Sequence, residues 1–280
     1  MKAILLVPLL LATAPSPRLA VRWTPDAHTT VRLNAATGFR VVSLFTEDHA
    51  TLTGAREVVV AEALEPELSA TVTLSLQRFV DVGGVPDAMS VDVDLYATRF
   101  GNRITADFDT DPDLIVYRNL DGSAVTRGVS VAAGYRTEMQ PFYANVGATA
   151  QEVFVREGGA SRPLPFAPRV QGTFTVGHDF RGVGATLDWT GRVLGPMALP
   201  ALHGHASRSP WFTEHHLQAT KRLRPGAELY LAVRNVLDFT QSGAIVSPDD
   251  PFGPEFDPGR IYGPLQGRRV ALGARYVVGR

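Results

Sequence analysis

The chain has no cysteine among its 280 residues, which excludes disulfide cross-links and thiolate-held metals. It has almost no net charge: 27 lysines and arginines stand against 28 aspartates and glutamates. Neither nucleic acid nor an anionic membrane surface would find an electrostatic footprint on it. No apolar run reaches the roughly 17–25 residues that a membrane-spanning helix requires, and helical periodicity is nearly absent. Walker and dinucleotide-binding glycine motifs are missing, as is a Gly-x-Ser-x-Gly nucleophile elbow. A chain of this kind can enter a membrane only as a closed β-barrel, in which every backbone polar group is paired.

What the sequence does have is alternation with period two. In "MSVDVDLYATRFGNRI", residues 89–104, Met89, Val91, Val93 and Leu95 share one parity, and Ser90, Asp92 and Asp94 share the other. The same pattern sets Ala185, Leu187, Trp189 and Val193 against Thr186, Asp188, Thr190 and Arg192. It recurs near the end, with Val270, Leu272, Ala274, Tyr276 and Val278 opposite Arg269, Ala271, Gly273 and Arg275. The pattern predicts eleven strands, at 17–24, 28–37, 68–80, 87–108, 113–137, 139–156, 166–181, 183–198, 211–222, 227–237 and 267–278. Some connections are tight, as in "TPDA" (24–27), "RTEM" (136–139), "FRG" (180–182) and "RPGA" (224–227). Others are long and rich in proline or polar residues: 38–67, 157–165, 199–210 and 238–266.

Alternating tight turns and long loops are expected of an up-and-down antiparallel sheet with all its long loops at one rim, the plan of a transmembrane barrel. Asp92, Asp94, Asp188, Arg192, Arg234, Arg269 and Arg275 are then predicted to face a hydrated lumen, mutually paired, and the opposite parity to face lipid. Tyr135, Phe180, Trp189, Trp211 and Tyr276, on the outward parity, would form an interfacial girdle near strand ends. A soluble β-sandwich would show the same alternation and stays open at this point. The N-terminus, "MKAILLVPLLLATAPSP", has Lys2, an apolar run from Ala3 to Leu11 and a small-residue "ATA" ending at Ala14. That layout divides the chain into a signal-peptide-like segment, 1–14, and a partial barrel domain, 15–280.

Residues suited to chemistry are few. His203-x-His205 could offer two imidazoles to a metal, yet no acid or thiol is spaced to complete a set. His215 and His216 would point to opposite faces of a strand. Asp109, Asp111 and Asp113 resemble the start of a calcium loop, but Leu114 stands where glycine is needed and no glutamate closes it. They read as an acidic hairpin tip, and Asp249, Asp250, Glu255 and Asp257 in the loop 238–266 read likewise. Ser207, Ser209 and His205 are close in sequence but lack an elbow. No residue is assigned to catalysis, to a cofactor or to a metal, and ligand-binding residues stay unassigned.

Several words of the sequence resemble one family. Gly38-Phe39-Arg40 ends a strand before a loop, and Leu64-Glu65-Pro66-Glu67 opens the next strand, as in the barrels of TonB-dependent outer-membrane receptors. The similarity continues through "SPRLAVRWTPD" (16–26), "LIVYRNLDGSAVTRGVSVAAGYR" (114–136), "FAPRVQGTFTVGHDF" (166–180), "LYLAVRNVLDFT" (229–240) and "GPLQGRRVALGARYVV" (263–278). Within them, Asn119-Leu120-Asp121-Gly122 resembles a hairpin word of that family, and Asn235-Val236-Leu237-Asp238 its penultimate-strand word. Gly38 and Gly122 are expected to take positive φ at turns, and Pro66 to begin a strand.

The resemblance implies an all-β, antiparallel up-and-down transmembrane barrel segment, about half of a 22-stranded barrel, in the bacterial outer membrane. Nothing in the chain corresponds to the family's plug or TonB-engaging segment. The expectation is a truncated gene or gene model, or a barrel completed by two copies. The implied role is uptake of scarce nutrients such as iron-siderophore complexes or cobalamin, through a TonB complex only if a plug is supplied. Selectivity would lie in the loops 38–67, 199–210 and 238–266. No enzyme activity and no cofactor are expected. A passive porin-like or adhesive barrel made by oligomerisation, a soluble periplasmic sandwich binder and an outer-membrane hydrolase remain alternatives. The terminal "YVVGR" lacks the aromatic that the resemblance leads one to expect for insertion.

Overall fold

The computed structural model describes residues 16–41, 57–107, 114–200, 205–253 and 256–278. Its main sheet follows one path of eleven strands: β1 (Arg18–Trp23), β2 (Thr29–Arg40), β4 (Glu67–Val82), β5 (Val85–Asn102), β8 (Gly122–Arg136), β9 (Phe142–Glu157), β11 (Val170–Phe180), β12 (Ala185–Leu194), β13 (Phe212–Arg224), β14 (Ala227–Arg234) and β15 (Arg269–Tyr276). Every neighbouring pair on this path is antiparallel. β1 and β15 are its two edges, and no ladder joins them, so the sheet is open. Among the described residues no helix is long and apolar enough to cross a membrane.

Connections alternate strictly. Those at 24–28, 83–84, 137–141, 181–184 and 225–226 are tight, and those at 41–66, 103–121, 158–169, 195–211 and 235–268 are long. Tight turns therefore share one rim and long loops the other, and the alternation runs along the whole sheet. Gly83 and Gly84 (φ 60° and 79°) make the two-residue β4–β5 turn, where both central residues need positive φ.

Two expected strands are broken. Residues 87–108 divide at Arg103 into β5 and β6 (Ile104–Asp107), and 113–137 divide at Leu120–Asp121 into β7 (Leu114–Asn119) and β8. β6 and β7 leave the main ladder and form a three-stranded sheet with β3 (Glu57–Val60), which runs parallel to β7. The physical reason lies at the break. Leu120 tucks its side chain against Ala124, Val155 and Phe100, and its N–H donates to the Arg103 carbonyl at 2.7 Å. Gly122 allows this crossing, because a Cβ there would lie 1.9 Å from the Arg156 carbonyl oxygen. The loop expected at 157–165 also contains a strand, β10 (Ala160–Pro163), folded back on β9 around Gly158 and Gly159.

Smaller expectations also shift. Gly38 is extended within β2, without positive φ, and the strand that Pro66 was to begin starts at Glu67. The last strand is shorter than its alternation suggests: all eight of its residues pair with β14, and it ends where that partner ends.

Register propagates one parity across the sheet. Ser75, Asp94, Ser130, Thr149 and Gln171 lie in one row, directly opposite one another from β4 to β11. Leu74, Leu95, Val129 and Ala150 form the adjacent row on the other face. The apolar face is half-buried to exposed, with Leu231 47% and Leu272 79% accessible, and no large side chain is fully buried among the described residues. This sheet has not buried its greasy face against another layer of protein, as a sandwich would.

Candidate functional site: the inner wall and the loop rim

The polar face is the inner wall. Three tyrosines lie across it, each over a glycine of the neighbouring strand: Tyr96 over Gly128, Tyr143 over Gly177 and Tyr230 over Gly273. The missing Cβ lets each ring lie down and reach further. Tyr96 donates to Gln151 at 3.0 Å, two strands away, and the Tyr143 hydroxyl donates to the Asp188 carboxylate. Ser130 and Thr149 share a hydrogen bond of 2.8 Å, and Thr71 and Thr98 one of 2.9 Å.

The predicted lumen charges meet different fates. Arg192 pairs with Glu214 at 2.6 Å and Arg275 with Glu228 at 3.6 Å, while Asp188 is held by Tyr143. Asp92, Asp94, Arg234 and Arg269 have no ion pair or hydrogen-bond partner for their side chains among the described residues, which corrects the expectation of general pairing. Arg234 instead stands directly opposite Arg269, and Arg22 directly opposite Arg32. Like charges placed so repel.

At the loop rim, family words separated in sequence meet. Glu67, only 4% exposed, accepts from the Arg40 guanidinium at 2.9–3.0 Å and from the Ile104 N–H at 3.0 Å. Asn119 accepts from the Glu65 N–H at 3.0 Å and donates to the Ala63 carbonyl at 2.9 Å. Burial beside this knot holds the Arg103 guanidinium below its ordinary pKa, with Glu67 opposing the shift and Arg40 adding to it. Arg118 grips Glu157 at 2.5 Å; that hydrogen bond is the main reason the Glu157 carboxyl sits below its usual range.

A second knot joins two long loops over the inner wall. Arg260, 4% exposed, donates to the carbonyls of Pro200 and Ala206. Gln241 donates to the Arg260 carbonyl at 3.0 Å and accepts from the Tyr262 and Gly263 N–H groups at 2.8 and 2.9 Å. Phe212 stacks on Phe239, with ring centroids 5.2 Å apart, and touches Tyr262. Asn235, in the left-handed region at φ 51°, donates to the carbonyls of Phe239 and Gln266, and Asp238 accepts from the Arg268 N–H at 2.5 Å. The Asn-Val-Leu-Asp word thus staples the mouth of the 235–268 loop.

The sequence candidates for chemistry stay apart. Asp109, Asp111, Asp113, His203 and Glu255, like the leader-like segment, lie outside the described residues. His205 is exposed, and the Ser209 hydroxyl accepts the Met197 N–H at 2.9 Å, a structural use. His215 faces outward, stacked on Trp189 and accepting its indole N–H at 3.2 Å, whereas His216 faces inward and accepts the Asn235 N–H. Asp257 caps its own turn through the Gly259 N–H at 2.6 Å. Trp189 sits mid-strand in β12 instead of near an end, while Trp23, Tyr135, Phe142, Phe180 and Tyr276 border the tight-turn rim. Arg260, Glu67 and Gln241 were not foreseen, because their partners lie 19–60 residues away and leave no local signal.

Among the described residues, one cation-competent cluster stands at the tight-turn rim: ligand atoms of His28, Asp81 and Asp87 lie within 4.8 Å of one another. The cluster satisfies itself without an ion, since His28 Nδ1 and Asp87 are 2.9 Å apart and the Asp87 N–H donates to Asp81. The hydrogen bond and the charge of Asp87 raise the His28 pKa.

Residues 11–236 match the family model of TonB dependent receptor-like β-barrels. The chain belongs to this family. Its barrels reside in the bacterial outer membrane, so the exposed apolar face is the lipid face, and the long loops are extracellular. Solved structures agree on the fold. The copper transporter OprC superposes with a TM-score of 0.69 at 15% identity, over 94% of this chain and 39% of its own. The FrpB iron transporter of Neisseria meningitidis gives 0.64 at 15%, over 93% and 39%. The ferric-catecholate import receptor Fiu of E. coli K12 gives 0.64 at 15%, over 92% and 34%. This chain thus spans about two-fifths or less of the length of each. Among curated proteins none matches the sequence.

Proposed function

We propose that this chain is wall and loop rim of a TonB-dependent outer-membrane receptor that takes up a scarce, metal-bearing nutrient, such as an iron-siderophore complex or cobalamin. The observation that carries the reading is the two-faced register that runs across the eleven strands, apolar outward and polar inward, with register shifts only near strand ends, at Leu68/Ser69, Val80/Val82 and Arg222/Arg224. Selectivity belongs to the extracellular loops, of which 195–211 and 235–268 are locked together by Arg260 over the inner wall. No covalent chemistry is required. Energy coupling belongs to a plug and to TonB, supplied with the complete receptor.

The test is binding by the detergent-solubilised protein of ferric hydroxamate and catecholate siderophores and cobalamin, followed by tryptophan fluorescence, beside a variant lacking 242–259. Saturable binding of one compound, lost with the loop, is expected. Equal behaviour of the two proteins toward every compound would sink the loop assignment.

A further inference from the structure

The lipid face carries a charged feature that a membrane wall by itself does not need, in the middle of the sheet and away from both edges. Going up the outward parity from the turn rim, β9 is apolar from Phe142 to Ala150 and β5 from Met89 to Ala97. Each run is about as long as the roughly 9–11 tilted residues that cross the hydrocarbon. The next outward residues are Arg99 on β5, Arg127 on β8 and Glu152 on β9, so these stand at headgroup level on the extracellular side.

At that level a cavity of about 250 Å³ is walled by Arg127, Arg156, Arg169 and Arg208, with Glu152 its one acid. Arg127 donates two hydrogen bonds to Glu152, at 2.6 and 2.8 Å. The guanidinium groups of Arg127 and Arg156 lie over the Phe154 ring, 5.7 and 5.2 Å from its centre, which orients both. The side chains of Arg156, Arg169 and Arg208 have no ion pair and no hydrogen-bond partner among the described residues. Four arginines thus share one carboxylate in a concave site, and such a site concentrates anions. A trough of about 670 Å³ shares Arg127, Glu152 and Arg169 with the cavity and runs down the lipid face beside Leu74, Leu95 and Val129, over the small Ala97 and Ala150.

We propose that cavity and trough together bind one phosphorylated lipid of the extracellular leaflet, its phosphate among the arginines and an acyl chain along the trough. Planar guanidinium forks match phosphate oxygens, and the trough offers the chain apolar surface continuous with the site of its headgroup. A free anion would use the cavity and gain nothing from the trough. The inference rests on the membrane placement of the wall and not on which nutrient is carried.

The probe is dioctanoyl phosphatidic acid, added to the full detergent-solubilised chain, with bound lipid counted by native mass spectrometry. Dioctanoyl phosphatidylcholine, with the same chains and no net charge, and inorganic phosphate are the comparisons. Phosphatidic acid should bind one per chain, at least about tenfold tighter than either, because hydrogen bonds to a charged group and burial of a chain each add to its affinity. The combined variant Arg156→Gln, Arg169→Gln, Arg208→Gln should weaken this binding by at least about tenfold. Glu152→Gln, which removes the one acid, should tighten it, a gain that no loss of folding produces. Equal binding of the two lipids overturns the proposal, as does inorganic phosphate binding as tightly as phosphatidic acid, or an affinity that either variant leaves unchanged. No siderophore enters these measurements, so the nutrient reading stands or falls separately.

Discussion

At the scale of the residue, parity decides nearly everything. Val93 sits in the middle of β5, between Leu76 and Val131 on the lipid face, and Asp94 beside it faces inward. Val93→Arg should cost about 2–4 kcal/mol at the bilayer midplane. Heat-modifiable, folded protein in the outer membrane should fall accordingly, and Asp94→Asn should leave it unchanged. The turn rim carries a pH-dependent contact. Because Asp87 raises the pKa of His28, the contact stabilises the folded state fully below the unfolded histidine value and is lost as pH rises through the folded one. Asp87→Asn should return the His28 titration, followed by NMR, to the ordinary range. Asp26 behaves oppositely: the His28 and Thr29 donors lower its pKa, so its contribution is present at neutral pH and fades as pH falls. The inward and outward sets were legible in the sequence, because strand geometry alone places alternate side chains on opposite faces. Buried Glu67 and Arg260 were not, since burial of a charge depends on partners brought from elsewhere in the chain.

At the scale of the element, close strand packing depends on glycines under aromatic rings. A Cβ on Gly177 would fall 2.1 Å from the Tyr143 ring, which lies across it to reach Asp188. Gly177→Ala should destabilise by about 1–3 kcal/mol through overpacking, and Tyr143→Leu in the same chain should recover part of that. Denaturant titration in lipid would show both. The rim knot makes a second case: Glu67→Ala leaves the Ile104 N–H without its acceptor and takes one carboxylate away from Arg40, worth about 1–3 kcal/mol. Amide exchange should quicken at Ile104 and in β6 while the centre of β5 stays protected; uniform quickening would mean that the knot supports the entire sheet. The existence of eleven main strands could be read from alternation. The change of sheet at Arg103 and Leu120 could not: alternation falters there, at Thr98-Arg99 and Arg118-Asn119, but a lapse of alternation does not say which strands pair, and only the buried Leu120 cluster shows that the chain has changed sheets.

At the scale of the whole molecule, the loops carry the remaining consequences. Arg260 bridges two loops with one guanidinium, a fork that lysine cannot reproduce. Arg260→Lys and Arg260→Ala should both leave the barrel wall folded by circular dichroism and open 195–211 to limited proteolysis. Proteolysis matching the parent protein would show that the aromatic stack of Phe212 and Phe239 suffices to hold the loops. The all-β class, the face of each strand and the rim of each long loop followed from the sequence by itself, because these depend on the period of two and on turn chemistry, both local. Three things were decided only by the tertiary structure: the departure of β6 and β7 into a second sheet, the locking of one extracellular loop on another, and the gathering of Arg127, Arg156, Arg169 and Arg208 around one cavity. Each depends on which distant segments become neighbours, and pairing between residues far apart in the chain is set by register and strand count, neither of which any short stretch of sequence contains.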